Sequence, residues 1–185
     1  MTTFFTEAAA LVIEVVFGLY ILAVLLRFLF QLVRADFYNP ISQFLVALTN
    51  PLLKPLRRVI PGLFGIDLAS LVLLITLQSL EIFLISSLQG APYELPWVII
   101  SAAIYLFRLT INVYFYAILL RVILSWFMPY GIHQNPAGGL LVSLTEPLMR
   151  PARRLIPPVG GLDLSPIAVI VALQLMLLAL DRLPR

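Results

Sequence analysis

The sequence predicts an all-α membrane protein with four transmembrane helices, arranged as two repeats that enter the membrane in the same direction. Of the 185 residues, 62% are apolar and 11% are charged, whereas charged residues make up about a quarter of a soluble domain. Several apolar runs are long enough to cross a bilayer, and a stretch of 40 residues occurs twice. Together these observations indicate a duplicated helical unit in a membrane.

The repeated stretch starts at an Asn-Pro pair and ends at a glutamine. Residues 39–78 and 135–174 align at a constant offset of 96, with 18 of 40 positions identical, and the helices before them align at an offset of 94. Such a period is too long for a solenoid unit and indicates a duplicated half-domain. We therefore divide the chain into two repeats and a short external link: 1–88, 97–185 and 89–96.

Four apolar segments are predicted to span the membrane, two in each repeat. A transmembrane helix takes about 20 apolar residues, and the first run exceeds this length. The third run starts at Trp97 and is longer than a bilayer is thick, so we place its span near its carboxyl end. The predicted spans are about 8–33, 68–88, 109–127 and 166–180.

The distribution of basic residues predicts the orientation. The loop inside the first repeat, 34–66, contains four Lys or Arg residues, the corresponding loop 129–164 contains three, and the link contains none. Because basic loops stay in the cytoplasm, both loops are predicted to be cytoplasmic and the N-terminus to be outside. Two spans per repeat then give both halves the same direction, related by a twofold axis along the membrane normal.

Each basic loop contains a proline-broken amphipathic segment. Asn39 and Asn135 each precede a proline and are predicted helix N-caps. Pro51 and Pro147 are predicted to end these first helices, and the segments after them to lie in the membrane interface. A cationic face follows at spacing i, i+3, i+4; its residues are Lys54, Arg57, Arg58, Arg150, Arg153 and Arg154. We expect this face to contact anionic lipid headgroups or a partner protein, or else only to orient and anchor the chain.

Asp67 and Asp163 occupy equivalent positions just before the second span of each repeat. Aspartate is a favoured N-cap residue, and Ser70 lies three residues further on in the first copy. Both aspartates are therefore predicted to cap their helices. An additional contact with the arginines of the cationic face is compatible with that role.

Several polar side chains are predicted at membrane depth, where they are costly and are therefore candidates for function. Gln78 and Gln174 each lie 11 residues past the capping aspartate, which is about 16 Å into the membrane. They are expected to form interhelical hydrogen bonds or a polar pair on the twofold axis. Arg27 and Arg121 lie near the cytoplasmic ends of their spans, from which they can reach headgroups or carbonyl groups.

Glu14 and Arg108 occupy the same repeat position with opposite charges, 13 residues before Arg27 and Arg121. Glu81 lies at a similar depth on the neighbouring helix. We expect Arg108 to pair with Glu14, Glu81 or both, because an unpaired charge in the membrane costs several kcal/mol. This group is either a structural ion pair or part of an ion or proton path.

The sequence argues against an enzyme, a cofactor protein or a nucleic-acid-binding protein. It has no cysteine and one histidine, His133, which is predicted to lie in a turn and has no counterpart in the first repeat. The lack of cysteine excludes disulfides, thiolate chemistry and Cys-type metal sites. No phosphate-binding loop, zinc-protease motif or nucleophile–base set is present. We therefore expect no catalytic residue, no metal and no cofactor.

The segments DFYNPISQFLVALTNPLLKPLRRVIP, GIDLASL and EPLMRPARRLIPPVGGLDLSPI resemble the repeat signature of the YggT (YlmG) family. The resemblance covers nearly the whole chain, and the two-repeat form is similar to that of proteobacteria, which implies the bacterial inner membrane. It also implies a connection with osmotic or extracytoplasmic stress and ion homeostasis. In relatives it extends to cell division, nucleoid distribution and haem attachment to a plastid cytochrome. No catalytic residue or ligand comes with the family, and the lack of cysteine argues against a haem-carrying role here.

Two functions remain open at this point. The first is a non-enzymatic membrane scaffold or assembly and stress-response factor, whose cationic faces engage lipid, a membrane-protein partner or a second copy of the chain. The second is a small ion or solute conduit active in osmotic stress, lined by the two glutamines and the Glu14, Glu81 and Arg108 group. We prefer the first, because residues 71–77 and 167–173 offer a water path only Thr76 and apolar side chains.

Overall fold

The computed structural model describes residues 2–63, 65–92, 94–127, 135–156 and 163–182. Across these ranges the chain forms six α-helices and no β-strand; its one isolated bridge joins Leu63 and Ile66. The helices are α1 (Thr2–Leu32), α2 (Pro40–Val59), α3 (Leu68–Gln89), α4 (Leu95–Phe127), α5 (Pro136–Leu155) and α6 (Ser165–Asp181). The all-α prediction is therefore confirmed for the described part of the chain.

Three of these helices are long and apolar enough to cross a membrane. They are α1 over Thr3–Leu32, α3 over Leu68–Gln89 and α4 over Leu95–Phe127. The fourth predicted span corresponds to α6, which is apolar but has only 17 residues, fewer than the roughly 20 that span the hydrocarbon core. Three helices of this length and apolarity indicate a membrane protein, and the number of spans stays a prediction.

Asparagine side chains begin the two helices that lie between the apolar ones. Asn39 Oδ1 accepts a hydrogen bond from Ile41 N at 2.9 Å, and Asn135 Oδ1 accepts one from Ala137 N at 3.0 Å. Each asparagine thus satisfies a free N–H of the first turn, as an N-cap does. Asn39 Nδ2 also donates to the Pro136 carbonyl at 2.8 Å, so the first turns of α2 and α5 are in contact.

The prediction that Pro51 and Pro147 end a helix is wrong. Each of α2 and α5 is a continuous helix of 20 residues with two prolines inside it. A proline removes one i to i−4 hydrogen bond and crowds the carbonyl four residues before it. Because the two prolines of each helix are four residues apart, these defects fall on one face, and all four prolines are exposed. The bonds on the remaining faces keep the helix continuous.

The chain packs as two compact units. Unit 1 contains Met1–Phe28 and Leu45–Phe107, and unit 2 contains Leu29–Phe44 and Arg108–Arg185. The most deeply buried side chains of unit 1 include Ile21 and Val24 of α1 and Leu53 of α2. In unit 2 the core is a cluster of Ile111, Ile118, Met149 and Leu173, from α4, α5 and α6. The repeat boundaries drawn from the sequence stay a prediction.

Candidate functional site

Arg27 joins the end of α1 to the middle of α2. Its Nη1 donates to Thr49 Oγ1 at 2.6 Å, to Asn50 Oδ1 at 3.0 Å and to the Val46 carbonyl at 3.3 Å. The arginine is only 8% exposed, and Thr49 is fully buried. The Thr49 hydroxyl can accept from Arg27 because it donates its own hydrogen to the Leu45 carbonyl, at 2.6 Å. A buried cation is thus satisfied by one turn of α2, immediately before Pro51.

The second repeat makes the same contact between α4 and α5. Arg121 Nη1 donates to Thr145 Oγ1 at 2.7 Å, and the Thr145 hydroxyl donates to the Leu141 carbonyl at 2.7 Å. Glu146 replaces Asn50 at the next position and accepts from Arg121 Nη2 at 3.1 Å. The acceptor in the first copy is the amide of Asn50. In the second copy it is the carboxylate of Glu146, which forms an ion pair with Arg121.

The sequence alone did not identify the two threonines as partners of the arginines. It placed Arg27 and Arg121 within reach of headgroups or carbonyl groups, and Arg27 does contact the Val46 carbonyl. The signal for the threonines was present, because Thr49 and Thr145 are identical residues at matching positions of the repeat. Only the packing of α1 on α2, and of α4 on α5, shows that each arginine meets its threonine.

Asp67 begins α3 and also holds the end of α2. Its Oδ1 accepts from Ser70 N at 3.4 Å and its Oδ2 from Ser70 Oγ at 2.5 Å, while Arg57 donates to Oδ2 through Nε, at 3.2 Å, and through Nη2. A tight turn brings the two together: Leu63 and Ile66 exchange backbone hydrogen bonds, and Gly65 supplies the φ of +84°, which favours glycine. The residue is both helix cap and ion-pair partner.

The environment of Asp67 sets its protonation state. Burial alone would raise the pKa of this carboxyl, which is 6% exposed, but the hydrogen bonds from Arg57 and Ser70 and the charge of Arg57 outweigh burial. The pKa therefore lies below its ordinary value, and the carboxylate stays charged at neutral pH.

Asp163 makes the equivalent contacts in unit 2, from a different helix position. The N-cap of α6 is Leu164, one residue later than predicted. Asp163 Oδ1 nevertheless accepts from Ser165 N at 3.0 Å, and its Oδ2 accepts from Arg153 Nε at 3.0 Å. Burial acts to raise the pKa of Asp163, but the bonds from Ser165 and Arg153 lower it below its ordinary value.

Glu146 extends this network in the second copy. Besides Arg121, it contacts Arg153 Nη1 at 3.3 Å and Arg150 Nε at 3.5 Å through Oε1. One carboxylate therefore lies among three arginines of α4 and α5. In the described part of the first repeat no such network surrounds Asn50, whose amide carries no charge.

The remaining cations of the predicted cationic face are exposed. Arg57 and Arg153 turn towards their aspartates, and the side chains of Lys54, Arg58 and Arg154 have no partner among the described residues. Arg150 contacts Glu146, yet its side chain is 74% exposed. What remains on each helix is two cations four residues apart, on one face. We call Lys54 with Arg58, and Arg150 with Arg154, the cationic pairs.

At membrane depth the structure places the polar residues differently from the prediction. Gln78 Nε2 donates to Glu81 Oε2 at 2.9 Å, within α3, and the two residues are 9% and 8% exposed. The predicted interhelical bond of Gln78 is thus replaced by one to the residue three positions later, which lies on the same helix face. Gln174 is exposed, and so is Glu14, which lies within electrostatic range of Glu81.

The expected partner of Arg108 is corrected as well. Its Nη2 lies 2.5 Å from Asp181 Oδ1, at the end of α6. The sequence indicated the depth of Arg108 but not which helix packs beside it, and within unit 2 the end of α6 comes back to the level of Arg108. The opposite charge comes from Asp181, which lies one residue beyond the last predicted span.

No metal site is found in the described ranges. They contain no group of three or more His, Cys, Asp or Glu side chains that could hold a metal ion. His133 and the turn around it lie outside the described residues.

The fold and these contacts define a class: a helical membrane protein in which an arginine–threonine and an arginine–aspartate contact are each made twice. The model of the CCB3/YggT family matches two segments of the chain, 6–88 and 100–183. The chain belongs to this family.

Curated relatives extend over most of the chain. An uncharacterized protein of Pseudomonas aeruginosa is 48% identical over 175 residues, which is 91% of this chain and 86% of the relative. A Vibrio alginolyticus protein is 38% identical over 171 residues, 91% of this chain and 90% of the relative. The uncharacterized protein YggT of Escherichia coli is 35% identical over 164 residues, 89% and 84% of the two chains. No solved structure matches.

Proposed function

We propose that this protein is a non-enzymatic scaffold or assembly and stress-response factor of the bacterial inner membrane, which holds anionic lipid headgroups through its cationic pairs. The observation that carries the proposal is a pattern of contacts that both cationic faces share. In each repeat one arginine, Arg57 or Arg153, is bound by an aspartate, and two other cations stay exposed.

The surroundings of the pairs fit an interfacial position. Val59 and Leu155 follow the pairs at the carboxyl ends of α2 and α5, and both are more than four-fifths exposed. An exposed apolar side chain beside cations is suited to the boundary between headgroups and acyl chains. Each Lys or Arg near an anionic membrane surface contributes about 1 kcal/mol of attraction. Four such cations give a strong preference for anionic lipid.

The proposal includes a topology. With α6 as a fourth span, α2 and α5 lie on the cytoplasmic side, where basic segments are retained, and the N-terminus lies outside. The arginine–threonine contacts then fasten each interfacial helix to the span before it, and the arginine–aspartate contacts fasten it to the span after it. Headgroups or a partner held on α2 and α5 are thereby held at a fixed position relative to the spans.

The test is lipid retention by the full chain, measured by native mass spectrometry after purification from vesicles that contain phosphatidylcholine and phosphatidylglycerol. The Lys54→Gln, Arg58→Gln double variant should retain fewer phosphatidylglycerol molecules than the wild type. The control is Arg34→Gln with Arg182→Gln, which removes the same charge from two exposed arginines outside the pairs. Equal losses in the two double variants would contradict a specific role of the pairs, and a loss of a co-purifying membrane protein alone would favour a protein partner.

A small ion or solute conduit is the second candidate, and one observation favours it. Gln78 and Glu81 are buried at membrane depth with Glu14 in electrostatic range, and buried polar groups in a membrane often mark ion paths. A conduit predicts ion flux from vesicles containing the reconstituted chain, reduced in Glu81→Gln and unchanged in Glu94→Gln, which alters an exposed link residue. Flux that is absent from the wild type would remove this candidate.

A further inference from the structure

Much of α6 is exposed, and one of its exposed rows has the residue pattern of a helix–helix contact. The row consists of Ile167, Val171, Gln174 and Leu178, all of them exposed. Their spacing of four, three and four residues places them on one stripe of the helix, as the a and d positions of a coiled coil do. The cluster with Ile111, Ile118 and Met149 uses Leu173, which lies on a different side of α6.

Gln174 is the residue of this row that lipid cannot satisfy. Within the described ranges its carboxamide has no hydrogen-bond partner, and a polar group exposed to hydrocarbon without a partner is costly. The matching residue of the first repeat, Gln78, is satisfied by Glu81 on its own helix. Leu177 occupies the position of Glu81 in the second repeat, so α6 offers Gln174 no carboxylate at that spacing.

The first repeat shows what the row does when it is covered. The matching residues of α3 are Leu71, Ile75, Gln78 and Ile82. Gln78 is buried and Ile75 and Ile82 are half-buried by the chain itself, while Leu71, in the first turn of the helix, is exposed. In the second repeat all four residues of the row are exposed. In addition, α6 is shorter than a bilayer requires, and short spans relieve that mismatch in part by associating.

We propose that a second copy of this chain covers the α6 row, with Gln174 of the two copies in mutual hydrogen bonding. Because every copy enters the membrane in the same direction, two α6 helices in contact are parallel, and their twofold axis lies along the membrane normal. Each residue of the row then meets its own counterpart at the same depth. A carboxamide both donates and accepts hydrogen bonds, so Gln174 is complementary to itself.

Cross-linking tests the contact, because the chain has no cysteine of its own. With a mild oxidant added to take up the two electrons, Val171→Cys and Leu178→Cys should each form a disulfide-linked dimer of the full chain in phosphatidylcholine vesicles. Met176→Cys is the matched control, since it is exposed to a similar degree but lies on the opposite side of α6. Equal cross-linking at all three positions, or none at 171 and 178, would overturn the proposal.

Energy transfer between labelled copies, followed as lipid dilutes the protein, tests the role of Gln174. Gln174→Leu should raise the dimer dissociation constant about 3- to 20-fold, the range expected for an interhelical hydrogen bond in a membrane, whereas Gln174→Asn should retain most of the affinity. An unchanged constant in Gln174→Leu would refute self-pairing. Neutral vesicles make the result independent of headgroup binding: the Lys54→Gln, Arg58→Gln variant should dimerise as the wild type does.

Discussion

Two buried threonines, Thr49 and Thr145, accept the hydrogen bonds of Arg27 and Arg121. Thr49 both accepts from Arg27 and donates to a carbonyl of its own helix. Thr49→Val should lower the free energy of unfolding by about 1–3 kcal/mol, because it leaves a buried arginine short of an acceptor. Denaturant unfolding in detergent micelles measures the change. Thr76→Val is the control, since the Thr76 hydroxyl is exposed and bonds only within α3.

The second copy gives an internal comparison for the same change. Thr145→Val should cost less than Thr49→Val, because Arg121 keeps the Glu146 carboxylate as a charged acceptor. A larger loss in Thr145→Val would show that Glu146 does not compensate, and that the two contacts are not equivalent in the way that their geometry indicates.

The lowered pKa of Asp67 leads us to expect that the stability of the protein decreases in acid. Its pKa is lowered on folding, so the stability it supplies is complete above the ordinary aspartate value of about 4 and is lost as the pH falls through the folded value. The thermal unfolding temperature of the wild type in detergent should therefore decrease once the pH is lowered below about 4. Asp67→Asn should start lower at pH 7 and change less on acidification. An identical pH dependence in the two proteins would contradict the assignment.

Among the helices, α2 and α5 show that a proline does not always end a helix. A helix stays continuous where the hydrogen bond that the proline removes lies on an exposed face. Four exposed prolines lie inside two continuous helices. Pro51→Ala should raise the unfolding free energy by up to about 3 kcal/mol, the cost of proline relative to alanine in a helix interior. Unfolding in detergent measures it. A loss of stability instead would mean that the carbonyl freed by the proline makes a contact that the helix needs.

For the whole molecule, the proposed topology can be tested by finding which side of the membrane chosen positions face. Single cysteines at Glu94 and Arg182 should react with a membrane-impermeant maleimide from the outside of intact cells, and one at Lys54 should react only after the inner face is made accessible. The reason is that a spanning α6 returns the chain to the side of the link. Labelling of the Arg182 position from the side opposite to Glu94 would show that α6 does not cross.

The sequence by itself determined the helical membrane class, the duplication and the residues at its special positions. Composition and apolar length are properties of the chain that need no partner, and an internal repeat identifies Asn39, Asp67 and their copies without any contact being known. It also singled out Arg27, Arg57 and Arg108, three cations whose charge is compensated in the folded chain.

Only the tertiary structure decided which group compensates each charge. Arg27 meets Thr49, Arg108 meets Asp181, and Gln78 turns to Glu81 while Gln174 stays exposed. The sequence gives the depth of a side chain along its helix, but a partner is set by how helices rotate and pack against one another. That rotation depends on the sum of many apolar contacts, and a single sequence does not reveal which helices are neighbours.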